Sequence, residues 1–389
     1  MKWQTVLLIV AGRDADSRPR RGSAADAGGH LILVPFSDDG RLEMLASSPT
    51  PSDIVNFARA LRVGIFEFHW RAQEDARLPR FKGSTVRGAV GWAFKRLVCV
   101  RPDGLCERCP VRSRCHYPYV FETSPPVETS AFRGQRTAPH PYVLEPPLEE
   151  KGHYAAGEPM RFRLLLLGRA VTYLPHLILA ADLAGRMGIG RGRARFALEA
   201  VFVRDAEGRS SAIYDGPSGR LTWDADAPRL EAFIRERWRQ LALRSSASLR
   251  LRLLTPVRMR IGGDLQAHLP FDLLVRSLLR RLWQLVLVHG EEVPHLDPHP
   301  WIERACAIPI LRQTLAWRDW ERYSHRQRTR MRLGGFMGEV EYELSAHDRD
   351  LFLPLLIVGE LLHIGTGTTF GLGKYEILDA ESDARNAHP

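Results

Sequence analysis

The most glycine-rich stretch of the chain lies near its C-terminus, as "HIGTGTTFGLGKYEIL" from His363 to Leu378. The apolar segment "LFLPLLIVGELLH" at 351–363 leads into it and predicts a buried helix, whereas "KYEIL" at 374–378 predicts a strand. A dinucleotide-binding fingerprint or a phosphate-binding P-loop needs the opposite order, with the strand before the glycines and the helix after them. The glycines therefore need another explanation.

The same pattern occurs a second time, roughly 180 residues earlier in the chain. An apolar helix predicted over 174–187 is followed by "GIGRGRARFALEAVFV" at 188–203, a Gly-Arg loop that continues into a strand. Both predicted helices carry a Leu-Pro pair, at 174–175 and 353–354. Two similar segments in similar order indicate an internal repeat.

Each copy of the repeat can be completed to the order β-α-β-β-α-β, which is the ferredoxin-like or RRM-like arrangement. In the second copy, alternating apolar residues predict strands at 248–260, 311–324 and 338–344 and a long helix at 270–290. The first copy fits the same scheme, with an insertion after its first helix at 83–98. We therefore predict an α+β fold of two tandem ferredoxin-like domains, with these boundaries: a weakly structured extension at 1–60, the first domain at 61–230 with a Cys-rich insertion at 99–120, the second domain at 245–380, and a tail at 381–389.

The charge of the chain favours a polyanionic partner. Its net charge is +10, and Arg supplies 50 of the 55 basic residues. Arg binds phosphate bidentately and stacks on bases. A GC-rich genome would explain the preference for Arg over Lys, but not the excess of positive charge. No apolar run is long enough for a membrane span and no convincing signal peptide is present, so we expect a cytoplasmic protein without a membrane partner.

Both glycine-rich loops are candidates for contact with a phosphate chain. Consecutive backbone N–H groups without Cβ atoms can approach phosphates closely, and neighbouring Arg and Lys side chains add positive charge. A tight turn from helix to strand is the alternative role for the same glycines. The residues of the loops predicted to bind a nucleic-acid backbone are Gly188, Gly190, Arg191, Gly192, Arg193, Gly365, Gly367, Gly371, Gly373 and Lys374.

Four cysteines, Cys99, Cys106, Cys109 and Cys115, lie close together in the first half. Two residues between Cys106 and Cys109 allow both thiolates to bind one ion, so the spacing predicts a structural zinc site. His116 could replace Cys99 as the fourth ligand, and an iron–sulfur cluster is a further alternative. Disulfides are unexpected in the cytoplasm. The fifth cysteine, Cys306, is isolated and is expected in the core.

Taken together, these segments resemble the RAMP superfamily of CRISPR proteins, and most closely the endoribonucleases that cut CRISPR precursor RNA. The resemblance covers roughly 63–380. The stretches that carry it are "GTGTTFGLGKYEI" (365–377), "WERYSHRQRTRMRLGGFMGEVEY" (320–342), "GSTVRGAVGWAFKR" (83–96) and "CERCPVRSRCHYPYVFET" (106–123). It implies two ferredoxin-like domains side by side, with RNA bound across their cleft.

The resemblance also implies cleavage without a metal or other catalytic cofactor. The RNA's own 2′-OH attacks the adjacent phosphate, leaving a 2′,3′-cyclic phosphate and a 5′-OH, and a His acts as general base or acid. Many members carry that His in or near the first helix of the first domain, but 83–98 contains none. The candidates are His363, His69 and His325, with Tyr323 and Ser324 as helpers and Arg326 and Arg328 as further RNA contacts. A buried histidine that closes the preceding helix is the alternative role of His363.

The predicted function is that of a CRISPR RNA-processing endoribonuclease serving defence against foreign nucleic acid. Its partners would be CRISPR repeat RNA and subunits of a CRISPR effector complex. One alternative is a non-catalytic RAMP subunit that holds guide RNA, which the missing His in the first helix favours. A second alternative is a zinc-bearing DNA-binding regulator, although no helix-turn-helix is evident.

Overall fold

Two larger antiparallel sheets organise the chain in the computed structural model. The model describes residues 48–101, 103–126, 132, 137–224, 226–242, 248–261, 264–265, 268–319, 321–324, 329–332 and 334–378. The elements of the first half are α1 (Pro51–Ala58), β1 (Val63–Ala72), β2 (Ala76–Arg77), α2 (Gly83–Val98), α3 (His116–Phe121), β3 (Tyr142–Glu145), β4 (His153–Tyr154), β5 (Pro159–Leu167), α4 (Leu174–Met187), β6 (Phe196–Arg204), β7 (Ser210–Asp215), β8 (Arg220–Leu221) and α5 (Leu230–Ala242).

The second half begins at the end of α5 and has the longer helices. Its elements are β9 (Ser248–Val257), β10 (Arg260–Ile261), β11 (Asp264–Leu265), α6 (Phe271–His289), α7 (His299–Cys306), β12 (Ile310–Gln313), β13 (Ala316–Arg318), β14 (Glu321–Ser324), β15 (Thr329–Arg332), β16 (Gly335–Glu343), α8 (Ala346–Leu362) and β17 (Tyr375–Leu378).

The two sheets have the same topology. The first has the order β3-β5-β1-β6-β7-β8, and the second has the order β12-β16-β9-β17. In each half a strand, a helix, two strands, a helix and a strand follow one another, and the four strands lie in the spatial order second, third, first, fourth. All of these neighbours pair antiparallel. The internal sequence repeat therefore corresponds to a repeated order of four strands and two helices in the structure.

Alternating side chains explain why one face of each sheet is polar. In β9, Leu249, Leu251 and Leu253 are buried, while Arg250 and Arg252 between them are only half-buried. Successive side chains of a strand point to opposite faces, so this alternation places one face on the helices and leaves the other to charged groups.

One hydrophobic core belongs to both halves. It joins α1, the start of β1 and the end of β5 to the apolar faces of α6, α8 and β9. A second core fills the first half, where Phe66, Phe68 and Trp70 of β1 pack with residues of α2 and α4. The described residues between 48 and 378 accordingly form one compact unit.

Several elements differ from the sequence-based expectation. Residues 51–58 of the expected extension form α1, because Ile54, Val55, Phe57 and Ala58 make one apolar helix face that is fully buried. The expected linker before the second domain contains α5, which packs against α8. Cys306 ends α7 and is exposed, so its expected place in the core was wrong. Among the described helices, none has both the length and the apolar character that a membrane span needs.

The burial of α1 leads to a stability prediction. Replacing Phe57 by Ala should lower the free energy of unfolding by about 3–5 kcal/mol, because it leaves a cavity in the shared core. Urea denaturation followed by circular dichroism measures this. The matched control, Leu179→Ala on the 55% exposed side chain of α4, should stay within about 0.5 kcal/mol of wild type. Equal effects of the two variants would show that α1 contributes nothing to the core.

Candidate nucleic-acid interface

The C-terminal glycine loop follows α8, whose last turn ends at His363. The backbone of this residue has φ +60° and ψ 167°, a conformation that residues other than Gly rarely adopt. Such a conformation costs about 1–3 kcal/mol where it occurs. The surrounding contacts must therefore hold His363 in place. The chain then turns through Gly365 and Gly367, forms a short 3₁₀ turn at Thr368–Phe370, and enters β17.

The glycines of this loop allow close contact with the first half of the chain. Gly371 has φ +88°, and a Cβ there would lie 2.3 Å from Cδ of Pro146, just beyond β3. At the start of α2, a Cβ on Gly83 would lie 1.8 Å from the carbonyl oxygen of Phe370. The loop is thus packed between β3 and α2, and the alternative role of its glycines, as a tight turn against protein, is visible at Gly371.

A cavity of about 510 Å³ opens on the other side of the same loop. Its walls come from the loop, from α6, from the end of β9 and from the segment 137–140 of the first half. We call this cavity the interhalf cleft. Its lining residues are Thr137, Ala138, Pro139, His140, Arg258, Met259, Leu273, Ser277, Arg280, Arg281, Gln284, Gly365, Thr366, Gly367, Thr368, Thr369 and Phe370.

The charge of the interhalf cleft is one-sided. Three arginines, Arg258, Arg280 and Arg281, contribute to its lining, and none of the described lining residues is Asp or Glu. A concave surface lined by one sign of charge concentrates counter-ions of the opposite sign. Hydroxyl groups of Ser277 and Thr366 add hydrogen-bonding capacity. The cleft is therefore suited to an anionic ligand.

Arg281 connects α6 to the glycine loop. Its Nε donates to the carbonyl oxygen of Leu362 at 2.8 Å, and one terminal nitrogen donates to Oγ1 of Thr368 at 3.1 Å. Burial lowers the pKa of this guanidinium to about 10, which still leaves it charged at neutral pH. Arg281 thus positions the loop and places a positive charge at the base of the cleft.

Behind the loop, His363 is fully buried and faces Glu145 of β3. Its Nε2 lies 3.3 Å from Oε1 of Glu145, and its Nδ1 lies 3.1 Å from the carbonyl oxygen of Leu372. Glu145 also pairs with Lys374 at 2.6 Å and with Arg163 at 3.4 Å. This placement favours the alternative role of His363 as a buried histidine that closes α8.

The pKa shifts in this cluster make it sensitive to acid. Burial lowers the pKa of His363, against the opposing effect of Glu145. Burial alone would raise the pKa of Glu145, but the hydrogen bond from His363 and the charge of Lys374 hold it well below its usual range. The unfolded chain therefore binds more protons than the folded chain. Stability should fall as the pH drops below 6.5 for His363 and then below 4.5 for Glu145.

The other predicted site residues lie outside the lining of the interhalf cleft. His69 is half-buried on β1 and contacts Glu67 at 2.8 Å. The first glycine loop forms an exposed turn between α4 and β6, in which Arg191, Gly192 and Arg193 are exposed and Gly188 and Gly190 are half-buried. His325, Arg326 and Arg328 lie outside the described residues, as do the side chains of Tyr323 and Ser324 on β14. Their roles stay predictions.

The four clustered cysteines line one small cavity beside the end of α2. All four carry free thiols and are half-buried. Burial raises the pKa of the Cys106 thiol. His116 does not line this cavity, and its ring packs 4.4 Å from that of Tyr173. Among the residues that the structure describes, no three potential ligands are arranged to hold a metal ion.

Sequence reasoning did not identify Arg258, Arg280, Arg281 or His140 as site residues. Arg280 and Arg281 interrupt the apolar pattern of α6, and a charged pair within such a helix was an available signal. His140 stands in the Pro-rich connection at 118–147, where no periodic pattern marks it.

Two family models match separate parts of the chain. Residues 251–375 match the model of the CRISPR-associated endoribonuclease Cas6, and residues 61–225 match a model described as an N-terminal domain. An uncharacterized protein of Archaeoglobus fulgidus is 26% identical over 303 residues, which cover 77% of this chain and 92% of that protein. The match to the Cas6 model confirms, for residues 251–375, the resemblance to CRISPR-associated endoribonucleases.

Solved structures share the fold at low sequence identity. A chain of a partial Cas6-RT-Cas1–Cas2 complex superposes with a TM-score of 0.52 at 14% identity, over 82% of this chain. The chain spans only 46% of the length of that structure. Cas6 of Thermus thermophilus gives a TM-score of 0.44 at 14% identity, over 82% of this chain and 99% of its own. The mixed α/β architecture with antiparallel sheets is similar to that of the matched part of the Cas6-RT-Cas1–Cas2 chain.

The contacts of His363 lead to a second prediction. Replacing it by Ala should lower the free energy of unfolding at pH 7 by about 1–3 kcal/mol, because Glu145 loses a buried hydrogen-bond partner. Thermal unfolding at several pH values measures this. Part of the wild-type loss of stability between pH 7 and 5 should be absent in the variant. The control is His295→Ala on an exposed side chain, and an equal response of the two variants would contradict the assignment.

Proposed function

We propose that the chain is an endoribonuclease that cleaves CRISPR precursor RNA within its repeats. The match of residues 251–375 to the Cas6 family model supports the likeness to the Cas6 endoribonucleases. The observation that carries the proposal to this molecule is the interhalf cleft, whose described lining contains three arginines and no Asp or Glu. Much of the affinity of proteins for nucleic acid comes from neutralising phosphates, and this cleft supplies the charge.

The fold proposed for this function is a pair of tandem ferredoxin-like domains. The shared spatial order of four strands in the two sheets supports it, as does the β-α-β-β-α-β order in each half. In this arrangement the glycine loop of the second half meets β3 and α2 of the first half. RNA bound in the cleft would then contact both halves.

The proposed reaction is a metal-independent transesterification. The 2′-OH of the RNA attacks the adjacent phosphate and produces a 2′,3′-cyclic phosphate and a 5′-OH. Fixed cations such as Arg281 stabilise the charge that develops on the phosphate. A neutral His removes the attacking proton, a task for which the imidazole is suited near neutral pH. The sequence offered His363, His69 and His325 for this role, with Tyr323 and Ser324 as helpers.

A non-catalytic RAMP subunit that holds guide RNA is the second candidate function. Two observations favour it. The first helix of the first half, α2, contains no His. His363 is fully buried behind the glycine loop, so its ring does not reach the cleft surface. The same cleft would serve this function by binding RNA alone.

We also propose that the Cys-rich insertion binds one structural zinc ion through Cys99, Cys106, Cys109 and Cys115. Support comes from the Cys106-x-x-Cys109 spacing and from the common cavity that the four side chains line. The four thiols are not arranged around one point in the described structure, so zinc binding requires them to move together. Zinc would supply no step of the reaction, and its role would be to stabilise an insertion with several exposed apolar residues. The proposed setting is the cytoplasm, with CRISPR repeat RNA and CRISPR effector subunits as partners.

Cleavage of RNA in the absence of free metal tests the proposed function. The chain is incubated in EDTA with the repeat RNA of the CRISPR array beside its gene. Cleavage at one position, with a 2′,3′-cyclic phosphate on the upstream product, is the expected result. An RNA with a 2′-deoxy nucleotide at that position should bind but stay intact. Binding without cleavage of the unmodified RNA would favour the guide-holding subunit, and preference for duplex DNA would overturn both.

The arginines of the cleft predict the salt dependence of RNA binding. Arg280→Ala should weaken binding of the 2′-deoxy repeat RNA and reduce the slope of log affinity against log salt by about 0.7, the value for one contact to a single strand. Fluorescence anisotropy at several salt concentrations measures this. The matched control is Arg276→Ala, one turn earlier on α6, whose side chain pairs with Asp272. An unchanged slope in Arg280→Ala would place the RNA elsewhere.

Metal content tests the zinc site. Elemental analysis of the purified chain should find about one zinc per chain. Cys106→Ser should lose the ion and lower the melting temperature, whereas Cys306→Ser on the isolated exposed thiol should retain it. Absence of zinc from wild type after purification in zinc-containing medium would contradict the proposal, whatever the activity of the protein.

A further inference from the structure

His140 brings an imidazole to the interhalf cleft from the first half of the chain. It stands two residues before β3, in the segment 137–140 that forms one wall of the cleft opposite α6. Its ring lies nearly parallel to that of Tyr142, with the centroids 6.1 Å apart. Of the histidines in the described part of the chain, it is the one that appears in the cleft lining together with Arg258, Arg280 and Arg281.

Hydrogen bonds determine which nitrogen of His140 carries the proton. The hydroxyl of Thr123 donates to the carbonyl oxygen of Tyr119 at 2.7 Å, so its proton is already used. The same oxygen lies 2.9 Å from Nδ1 of His140 and therefore accepts a hydrogen bond from Nδ1–H. In the neutral ring this leaves the lone pair on Nε2. Thr123 thus holds His140 in the tautomer that can act as a base through Nε2.

The backbone next to His140 is held by α6. His289, the last residue of this helix, donates from Nε2 to the carbonyl oxygen of Pro139 at 2.8 Å. Its Nδ1 accepts from the hydroxyl of Tyr119 at 3.1 Å. Tyr119 is also the residue whose carbonyl oxygen orients Thr123. One connected network therefore positions the His140 segment, and such positioning is what general-base catalysis requires.

Burial and nearby positive charge keep the ring of His140 neutral. Burial is the larger cause, and together with the charges of Arg87 and His289 it lowers the pKa of His140 to about 3. The groups that face the ring from neighbouring elements are Arg87 of α2 and His289 of α6. The base form is therefore present at neutral pH.

We infer that His140 is the general base of the proposed RNA cleavage and that Thr123 is its positioning residue. This inference rests on the proposed function. Nε2 of His140 takes the proton of the 2′-OH while the 2′ oxygen forms a bond to the adjacent phosphorus. The bond from phosphorus to the 5′ oxygen breaks, and that oxygen takes a proton from solvent water. The imidazolium then returns its proton to solvent, so that the enzyme is unchanged.

The test compares variants that keep the hydrogen bond to Thr123 with variants that lose it. His140→Asn places an amide N–H near the position of Nδ1 but has no base, so it should fold and bind. Single-turnover cleavage of the repeat RNA in EDTA should slow by at least about 10²-fold in His140→Asn. Its affinity for the 2′-deoxy repeat RNA should match wild type. In His140→Ala, added imidazole should restore part of the lost rate.

The role of Thr123 is tested in the same assay. Thr123→Val keeps the shape but removes the hydroxyl, and it should lower the rate with unchanged affinity. Thr123→Ser keeps the hydroxyl and should restore the rate. The control is His268→Ala, an exposed side chain of the second half outside the cleft lining, which should cleave as wild type does.

The outcomes separate this inference from the proposed function. If wild type cleaves and folded His140→Asn cleaves equally fast, the inference is wrong and the endoribonuclease proposal stands. If His140→Asn loses affinity as much as rate, His140 is a binding residue and the inference is also wrong. If wild type binds the repeat RNA without cleaving it, both fall together. Slower cleavage with unchanged affinity, rescued by imidazole, supports the inference.

Discussion

The contacts of the Glu145 carboxylate hold the two halves of the chain together at the glycine loop. It lies at the end of β3, and three groups meet there: His363 and Lys374 from the second half and Arg163 from the first. A buried charge is tolerated only when it is paired and hydrogen-bonded. Because the partners of Glu145 flank the glycine loop, the electrostatic requirement of one side chain sets the position of that loop, and with it one wall of the cleft.

The distribution of carboxylates differs between the sheet faces and the cleft. On the open faces of the sheets, Arg163 pairs with Glu67, and Arg252 pairs with Glu339 and Glu376. In the cleft, the described lining has arginines and hydroxyl groups but no carboxylate. The excess of Arg in the sequence is thus accompanied by a concave wall lined by one sign of charge, which concentrates anions.

Sequence patterns predicted the order of the elements because each helix or strand has its own local spacing of apolar residues. The alternation in β9 and the apolar helix before His363 are examples. The candidate site was less predictable. His363 and Glu145 are 218 residues apart, so no local pattern shows that the ring is buried against a carboxylate. The role of His140 likewise depends on Thr123, in an irregular connection without periodicity. The short helix α1 lies within the segment expected to be a weakly structured extension, and its 8 residues are too few for a clear periodic pattern.

The core that both halves share limits how the molecule can move. Domains that close on a ligand by a hinge need an interface that can part, and here that interface contains the buried side chains of α1, β1, α6 and α8. Opening the cleft by rotating one half would expose this apolar surface to water. The described halves are therefore expected to keep their relative position when a ligand enters the cleft. In the proposed function that ligand is RNA, and it is then the RNA rather than the protein that changes shape on binding.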